Sequence, residues 1–287
     1  MSPRLTIARA ALALAATSLA APAAAAPAVV ATILPVHGIV AAVMAGVGEP
    51  VLLIDRPVSP HAYALTPSKR RLLDAADLVI GIGPGMETGI WEAVEAMRGR
   101  HLALLDSIAD GLIGPAGAAD PHVWLDTALA ARMADAVAAG LTAADPENAT
   151  RYAANAAGFA ETLAALDADI GEALLGHPDG IAVSYHDAFA YFARQWHLGY
   201  GYVVPEPEIA PAAGTVAALR DRAAKGGIAC FMTEPQYRPD LLEALAGDFG
   251  LSIVEIDPVG TAIAPGPGCY PVLIRQVAAA FAACLSP

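Results

Sequence analysis

From Asp145 to about Gly176 the chain has the pattern of one uninterrupted helix, and that element limits what the rest can become. Apolar or small residues recur at Tyr152, Ala156, Phe159, Leu163, Leu166 and Ile170, at spacings of three and four. Asp145 and Pro146 suit an N-cap and a first helical position. A helix of about 28 residues is longer than globular helices usually run, and can reach from one lobe to another as a strut. On both sides of it, short apolar runs alternate with longer helical ones, the signature of α/β architecture. Strands are expected at 29–34, 51–54, 78–82 and 101–105, with helices at 37–45, 66–75, 87–97 and 127–143. After the long helix the rhythm resumes, with strands at 181–184, 200–204, 228–232 and 251–256. Helices are expected there at 187–196, 215–225, 238–246 and 271–284. The fold class is therefore α/β, and the organisation is a leader (1–25), a first lobe (26–143), a linking helix (144–176) and a second lobe (177–287).

The leader has the order of a secretory signal. Arg4 and Arg9 form a positive start, 10–20 is a short apolar run, and Ala23-Ala24-Ala25 fits the small-residue cleavage rule. The run is too short to span a bilayer, and no cysteine near the cleavage point offers a lipid attachment site. A soluble, exported, periplasmic protein is expected. Loss of Arg4 and Arg9 takes the formal charge from −13 to −15. A chain this acidic is a poor partner for nucleic acid, which needs basic patches, while a negative field favours approach of a divalent cation. Of the three cysteines, Cys230, Cys269 and Cys284, an oxidising compartment permits one bridge and leaves one thiol over.

Four segments each set a metal-capable side chain beside a turn. They are Ser59-Pro60-His61-Ala62-Tyr63, Asp120-Pro121-His122-Val123-Trp124, Ser184-Tyr185-His186-Asp187 and Ile256-Asp257-Pro258-Val259-Gly260. Prolines at 60, 121 and 258 restrict the backbone there, so less disorder is lost on binding. Three of the segments follow expected strands or lobe edges, where open α/β sheets bind ligands. Three imidazoles and one carboxylate form a tetrahedral zinc set with every position filled by protein. That favours binding and release over catalysis, because a catalytic zinc keeps a position open for water. Glu234, in Thr233-Glu234-Pro235-Gln236, also ends an expected strand, and is expected to orient a histidine ring. His37 is expected at a helix start, and His101, His177 and His197 at loop or strand edges without a second ligand. There is no His-Glu-x-x-His pair and no nucleophile elbow, and 81–85 lacks the G-x-G-x-x-G spacing.

Ser-Pro-His-Ala-Tyr-Ala-Leu-Thr-Pro-Ser, Asp-Pro-His-Val-Trp-Leu-Asp, Tyr-His-Asp-Ala-Phe-Ala-Tyr-Phe, Thr-Glu-Pro-Gln-Tyr and Ile-Asp-Pro-Val-Gly occur in that order. Together they resemble the motifs of the periplasmic zinc-binding proteins of ABC importers, in the metal-binding cluster of substrate-binding proteins. The resemblance implies two βα lobes with mostly parallel sheets, joined by one long backbone helix, with Zn²⁺ in the interlobe cleft. It places His61, His122 and His186 on the family's histidine ligands and Asp257 on its aspartate. It implies a disulfide between Cys230 and Cys284, leaving Cys269 free. The implied partners are a membrane permease with its cytoplasmic ATPase, and a periplasmic metallochaperone; a monomer is expected. Many zinc members carry a His/Asp-rich loop before the second motif, whereas 111–119 has no histidine here. Rival readings are a manganese or iron carrier of the same fold, an adhesin-like surface protein and a secreted metallohydrolase.

Cleavage after Ala25 is expected on export. N-terminal sequencing of the exported protein should begin Ala26-Pro27, and a retained Arg4 would overturn the leader assignment.

Overall fold

The computed structural model describes residues 25–97, 101–114, 118–176, 180–207 and 209–286. Residues 1–24 of the leader and His177 lie outside the described residues. Eight strands among them form two four-stranded sheets. The first is built from β1 (Val29–Ala31), β2 (Val51–Leu52), β3 (Leu78–Gly81) and β4 (His101–Ala103), in the order β2-β1-β3-β4. The second is built from β5 (Ile181–His186), β6 (Tyr200–Val204), β7 (Ile228–Thr233) and β8 (Ser252–Glu255), in the order β6-β5-β7-β8. Every pairing is parallel. The two sheets thus share one topology, each with a switch point between its first and third strands, where such sheets place their ligands.

The helices are α1 (Leu34–Val43), α2 (Pro67–Ala75), α3 (Thr88–Glu95), α4 (Thr127–Ala144), α5 (Ala149–Ala173), α6 (Ala190–Gln195), α7 (Ala213–Ala224), α8 (Asp240–Phe249) and α9 (Cys269–Leu285). Their starts follow from local chemistry. The Thr66 hydroxyl accepts the Lys69 amide ahead of Pro67, opening α2. The Asp126 carboxylate accepts the Ala128 and Leu129 amides, opening α4. Asp145 holds the expected N-cap position ahead of Pro146, but makes no side-chain cap bond. A short 3₁₀ turn, Pro146–Asn148, comes first, and the Asp145 carboxylate takes the Tyr152 hydroxyl at 2.7 Å and the Asn148 amide at 2.8 Å. Both of these side-chain donors bond the same oxygen, Oδ2.

The long helix α5 has 25 residues, about 37 Å at the usual rise per residue. It buries the predicted stripe of Tyr152, Ala156, Phe159, Leu163, Leu166 and Ile170, and packs on α4, α1 and α9. It is therefore more than a strut between lobes. Buried residues of both sheets and of these helices form one continuous core, and a smaller cluster lies under α7 and α8. The last helix, α9, reaches back to α1, where Gly38 allows close approach: a Cβ there would come 2.9 Å from the Tyr270 amide. Cys230 on β7 and Cys284 on α9 are joined, with 5.4 Å between their Cα atoms, and Cys269 is buried with a free thiol. With 54 residues of separation, the chain-entropy model gives about 4 kcal/mol of stabilisation. No helix among the described residues is long and apolar enough to cross a membrane.

Polar ties join the second lobe to the segment leading into α4. Arg194 of α6 donates to Asp126 at 3.0 Å and to the Gly111 carbonyl at 2.7 Å. The Gln195 amide and the Asp167 carboxylate both bond the Thr127 hydroxyl. The Tyr191 hydroxyl donates to the Asp120 carbonyl and accepts the Ile113 amide. Wide hinge motion would have to break these bonds and split a shared core. Scattering profiles of metal-free and metal-loaded protein should therefore superimpose, while amide exchange slows in the loops around 61 and 122. A large change in radius of gyration would overturn this reading.

Candidate metal centre

Three histidines converge where the two lobes meet. His61 lies in the loop between β2 and α2, preceded by Pro60. His122 precedes the 3₁₀ turn Val123–Leu125. His186 is the last residue of β5, at the switch point of the second sheet. His122 and His186 are 4% and 2% exposed, so neither imidazole is hydrated enough to be an ordinary surface side chain. Among the described residues these three form the only group of three or more metal-capable side chains whose ligand atoms lie within 4.8 Å of one another.

The outer ring nitrogens determine which way the inner ones face. His122 Nδ1 lies 2.7 Å from Asp120 Oδ1, which also accepts the His122 amide at 2.9 Å. His186 Nδ1 lies 2.9 Å from Glu234 Oε1. A carboxylate accepts only, so each Nδ1 carries the proton and each Nε2 presents a lone pair. His61 hydrogen-bonds the Gly85 backbone, and its Nε2 likewise faces inward. The His122 Nε2 is 3.3 Å from the Nε2 of His61 and 3.3 Å from that of His186. A tetrahedron with Zn–N bonds of about 2.0–2.1 Å has edges of about 3.3–3.4 Å. Both separations match that edge, and the third pair lies within 4.8 Å; lone pairs so close repel one another unless a cation sits between them.

The surroundings close the site. Trp124 and Tyr237 stand beside it, with ring centroids 5.3 Å from His122 and 5.2 Å from His186. The Tyr237 hydroxyl donates across the lobes to Ser59 Oγ at 3.1 Å. Trp124 Nε1 donates to the Pro258 carbonyl at 2.8 Å. The cavity left is about 10 Å³, about the space of one water-sized group. A larger cavity of about 260 Å³ opens beside it. Its one acidic lining residue, Asp55, is paired with Lys69, and it has no histidine.

Burial, and then the neighbouring His122 and His186, push the His61 pKa down to about 3. Burial, and then Asp120, push the Asp187 carboxyl up to about 6.

Of the four ligands expected from the sequence, the structure brings three together. Asp257 does not join them, because donors of its own lobe occupy both its oxygens. Oδ1 accepts from Gln236 at 2.7 Å and from the Val259 amide at 3.0 Å. Oδ2 accepts from the Thr261 amide at 2.6 Å and the Thr261 hydroxyl at 2.7 Å. Here Asp257 organises the loop rather than facing the nitrogens. Glu234 stands behind His186, with Oε1 2.9 Å from its Nδ1. Asp120 and Gly85 had been given no role. Asp120 was detectable, two residues before His122 in an Asp-Pro-His turn, whereas Gly85 acts through its backbone and leaves no side-chain signal. His37, expected at a helix start, is buried in α1, with Nε2 against the Pro50 carbonyl at 3.1 Å.

A family model described as zinc-uptake complex component A, periplasmic, matches residues 29–284. The high-affinity zinc uptake system protein ZnuA of Paracoccus denitrificans is 32% identical over 297 residues, covering 89% of this chain and 91% of that protein. The protein of the same name from Brucella suis biovar 1 is 29% identical over 305 residues, covering 90% and 91%. A crystal structure of ZnuA superposes with a TM-score of 0.80 at 25% identity, covering 91% of this chain and 100% of that one. The periplasmic zinc-binding protein TroA of Treponema pallidum superposes with a TM-score of 0.80 at 22% identity, covering 91% and 99%, a likeness of fold.

Because the His61 pKa is lowered on folding, the unfolded chain binds its proton first as pH falls. His61 therefore destabilises the metal-free fold progressively between about pH 6.5 and its folded value near 3. Asp187, with its raised pKa, acts in the opposite sense below about 6, so the contribution of His61 is read as a difference. Denaturation midpoints of the metal-free protein should fall less from pH 7.5 to pH 4.5 in His61→Ala than in the wild type. Equal falls would overturn the assignment.

Proposed function

This chain belongs to the family of periplasmic zinc-uptake complex component A proteins, and we propose that it binds a single Zn²⁺ between its lobes and delivers it to the permease of an ABC importer driven by a cytoplasmic ATPase. The carrying observation is the pair of 3.3 Å Nε2 separations among His61, His122 and His186, the edge length of tetrahedral zinc coordination. In this reading the three imidazoles are the protein ligands. The fourth position goes to a solvent oxygen rather than Asp257, since recruiting Asp257 would exchange four hydrogen bonds for one coordinate bond.

Imidazole donors suit zinc, while manganese favours carboxylate oxygen, so the zinc reading is preferred to a manganese carrier. The small cavity favours a carrier over a catalyst: it has about the space of one water-sized group and no room for a second substrate. The leader and the periplasmic relatives support a periplasmic location. The net negative charge raises the local concentration of divalent cations around the molecule. The ties across the lobes favour local release, by opening of the loops bearing His61 and Asp257 at the permease, over separation of whole lobes.

Protein purified without added metal should carry one zinc per chain by elemental analysis. His122→Ala and His186→Ala should each weaken zinc binding by orders of magnitude, Asp257→Ala by less than about tenfold, and His197→Ala hardly at all. Bound manganese in place of zinc, or equal losses for Asp257 and the histidines, would overturn the assignment.

A further inference from the structure

Glu87 is fully buried in the first lobe, outside the group of three histidines. Its carboxylate accepts the Thr32 hydroxyl at 2.5 Å, the Ile82 amide at 3.0 Å and the Gly83 amide at 2.9 Å. None of these partners is a cation. A buried carboxylate is costly to keep, so its place in the fold is informative.

That place is the switch point of the first sheet. Thr32 follows β1, and Glu87 follows β3. In the matching sheet, His186 ends β5 and Glu234 follows β7. Both lobes thus set a buried glutamate across the same gap. In the second lobe the glutamate holds a ligand ring directly. In the first lobe it holds the β3–α3 connection, and that connection holds a ligand ring. The turn is closed by Met86 and Glu87 amides on the Gly83 carbonyl. Its Gly85 backbone bonds the His61 ring, and Met86 lines the metal cavity. A second contact seats the same loop: α3 meets the Tyr63 carbonyl at Gly89, where a Cβ would lie 2.1 Å from that oxygen.

We propose that Glu87 is a positioning residue for the zinc ligand His61, acting through the 83–89 connection on which the His61 loop rests. All three imidazoles are then backed by a carboxylate, two at their Nδ1 atoms and one a turn away. The inference rests on the zinc reading above.

The test is a double-mutant cycle on the full exported chain, with zinc affinity read by chelator competition. Glu87→Gln keeps the shape but turns an amide nitrogen toward a backbone N–H or the Thr32 hydroxyl. It should weaken zinc binding about ten- to a hundredfold, as loss of a ligand's support does. In a His61→Ala background the same change should alter affinity by less than about twofold, because the group it acts through is gone. A merely structural Glu87 would lower the melting temperature and leave zinc affinity unchanged, or lower it equally in both backgrounds; either result overturns the proposal. If Glu87→Gln does not fold, Thr32→Val removes one of the three bonds, and the same dependence on His61 decides the matter at a smaller loss. Wild-type protein that binds no zinc overturns the zinc reading and this one with it. Wild-type binding with an unaffected Glu87→Gln variant overturns this one alone.

Discussion

Three imidazole lone pairs pointed at one small space are the constraint around which the rest of the molecule is organised. Left free, each ring would turn its Nε2 to water or share a proton with its neighbour. Here Asp120 and Glu234 hold the outer protons of His122 and His186, and the Gly85 backbone engages His61. The inner nitrogens have no proton to share. The arrangement is unfavourable until a cation arrives, and the fold bears that cost through bonds made outside the site. Those supports come from three different stretches of chain, so the site exists only when both sheets and the connections after their strands are in place.

The same economy appears between the lobes. A carrier has to close on an ion and later let it go, and the ties seen here limit how that happens. Two aromatic residues of the site, Tyr237 and Trp124, each donate a hydrogen bond across the lobes, to Ser59 and to Pro258. Behind them α6 grips the segment from Gly111 to Thr127. Its first part, 111–119, is where many zinc-binding relatives are expected to carry a histidine-rich loop; in this chain the described residues of the segment serve as a brace. With α5 and α9 packed into a core common to both lobes, loop opening is the motion that disturbs fewest contacts.

Much of this was legible in the residues. The stripe from Tyr152 to Ile170 is buried as its periodicity required, because a helix that long has one face to hide. The alternation of apolar runs and helices became two parallel sheets, since crossover helices leave parallel pairing as the short solution. The histidines stood out because each follows a strand or abuts a proline turn. Asp257 stands apart from the imidazoles here, and the residues alone could not show it, because an aspartate before Pro-Val-Gly suits a metal and a loop equally well. Its backbone and hydroxyl donors lie within four residues, and local donors are met first. Asp145 stands at the N-cap as its place before Pro146 required, but its carboxylate bonds the Tyr152 and Asn148 side chains.

What the sequence by itself determined was therefore whatever depends on neighbours along the chain: the helical period of α5, the strand and helix alternation, the turns that stiffen the histidine segments, and the supply of imidazoles that suits zinc. What only the tertiary structure decided was which of those groups meet. The 3.3 Å spacing of nitrogens from residues 61, 122 and 186, the glutamates across the two matching gaps, and the four donors that hold Asp257 away all arise between segments brought together by the packing of two sheets on one core. Periodicity is a property of one segment, whereas coordination geometry is a property of several segments at once.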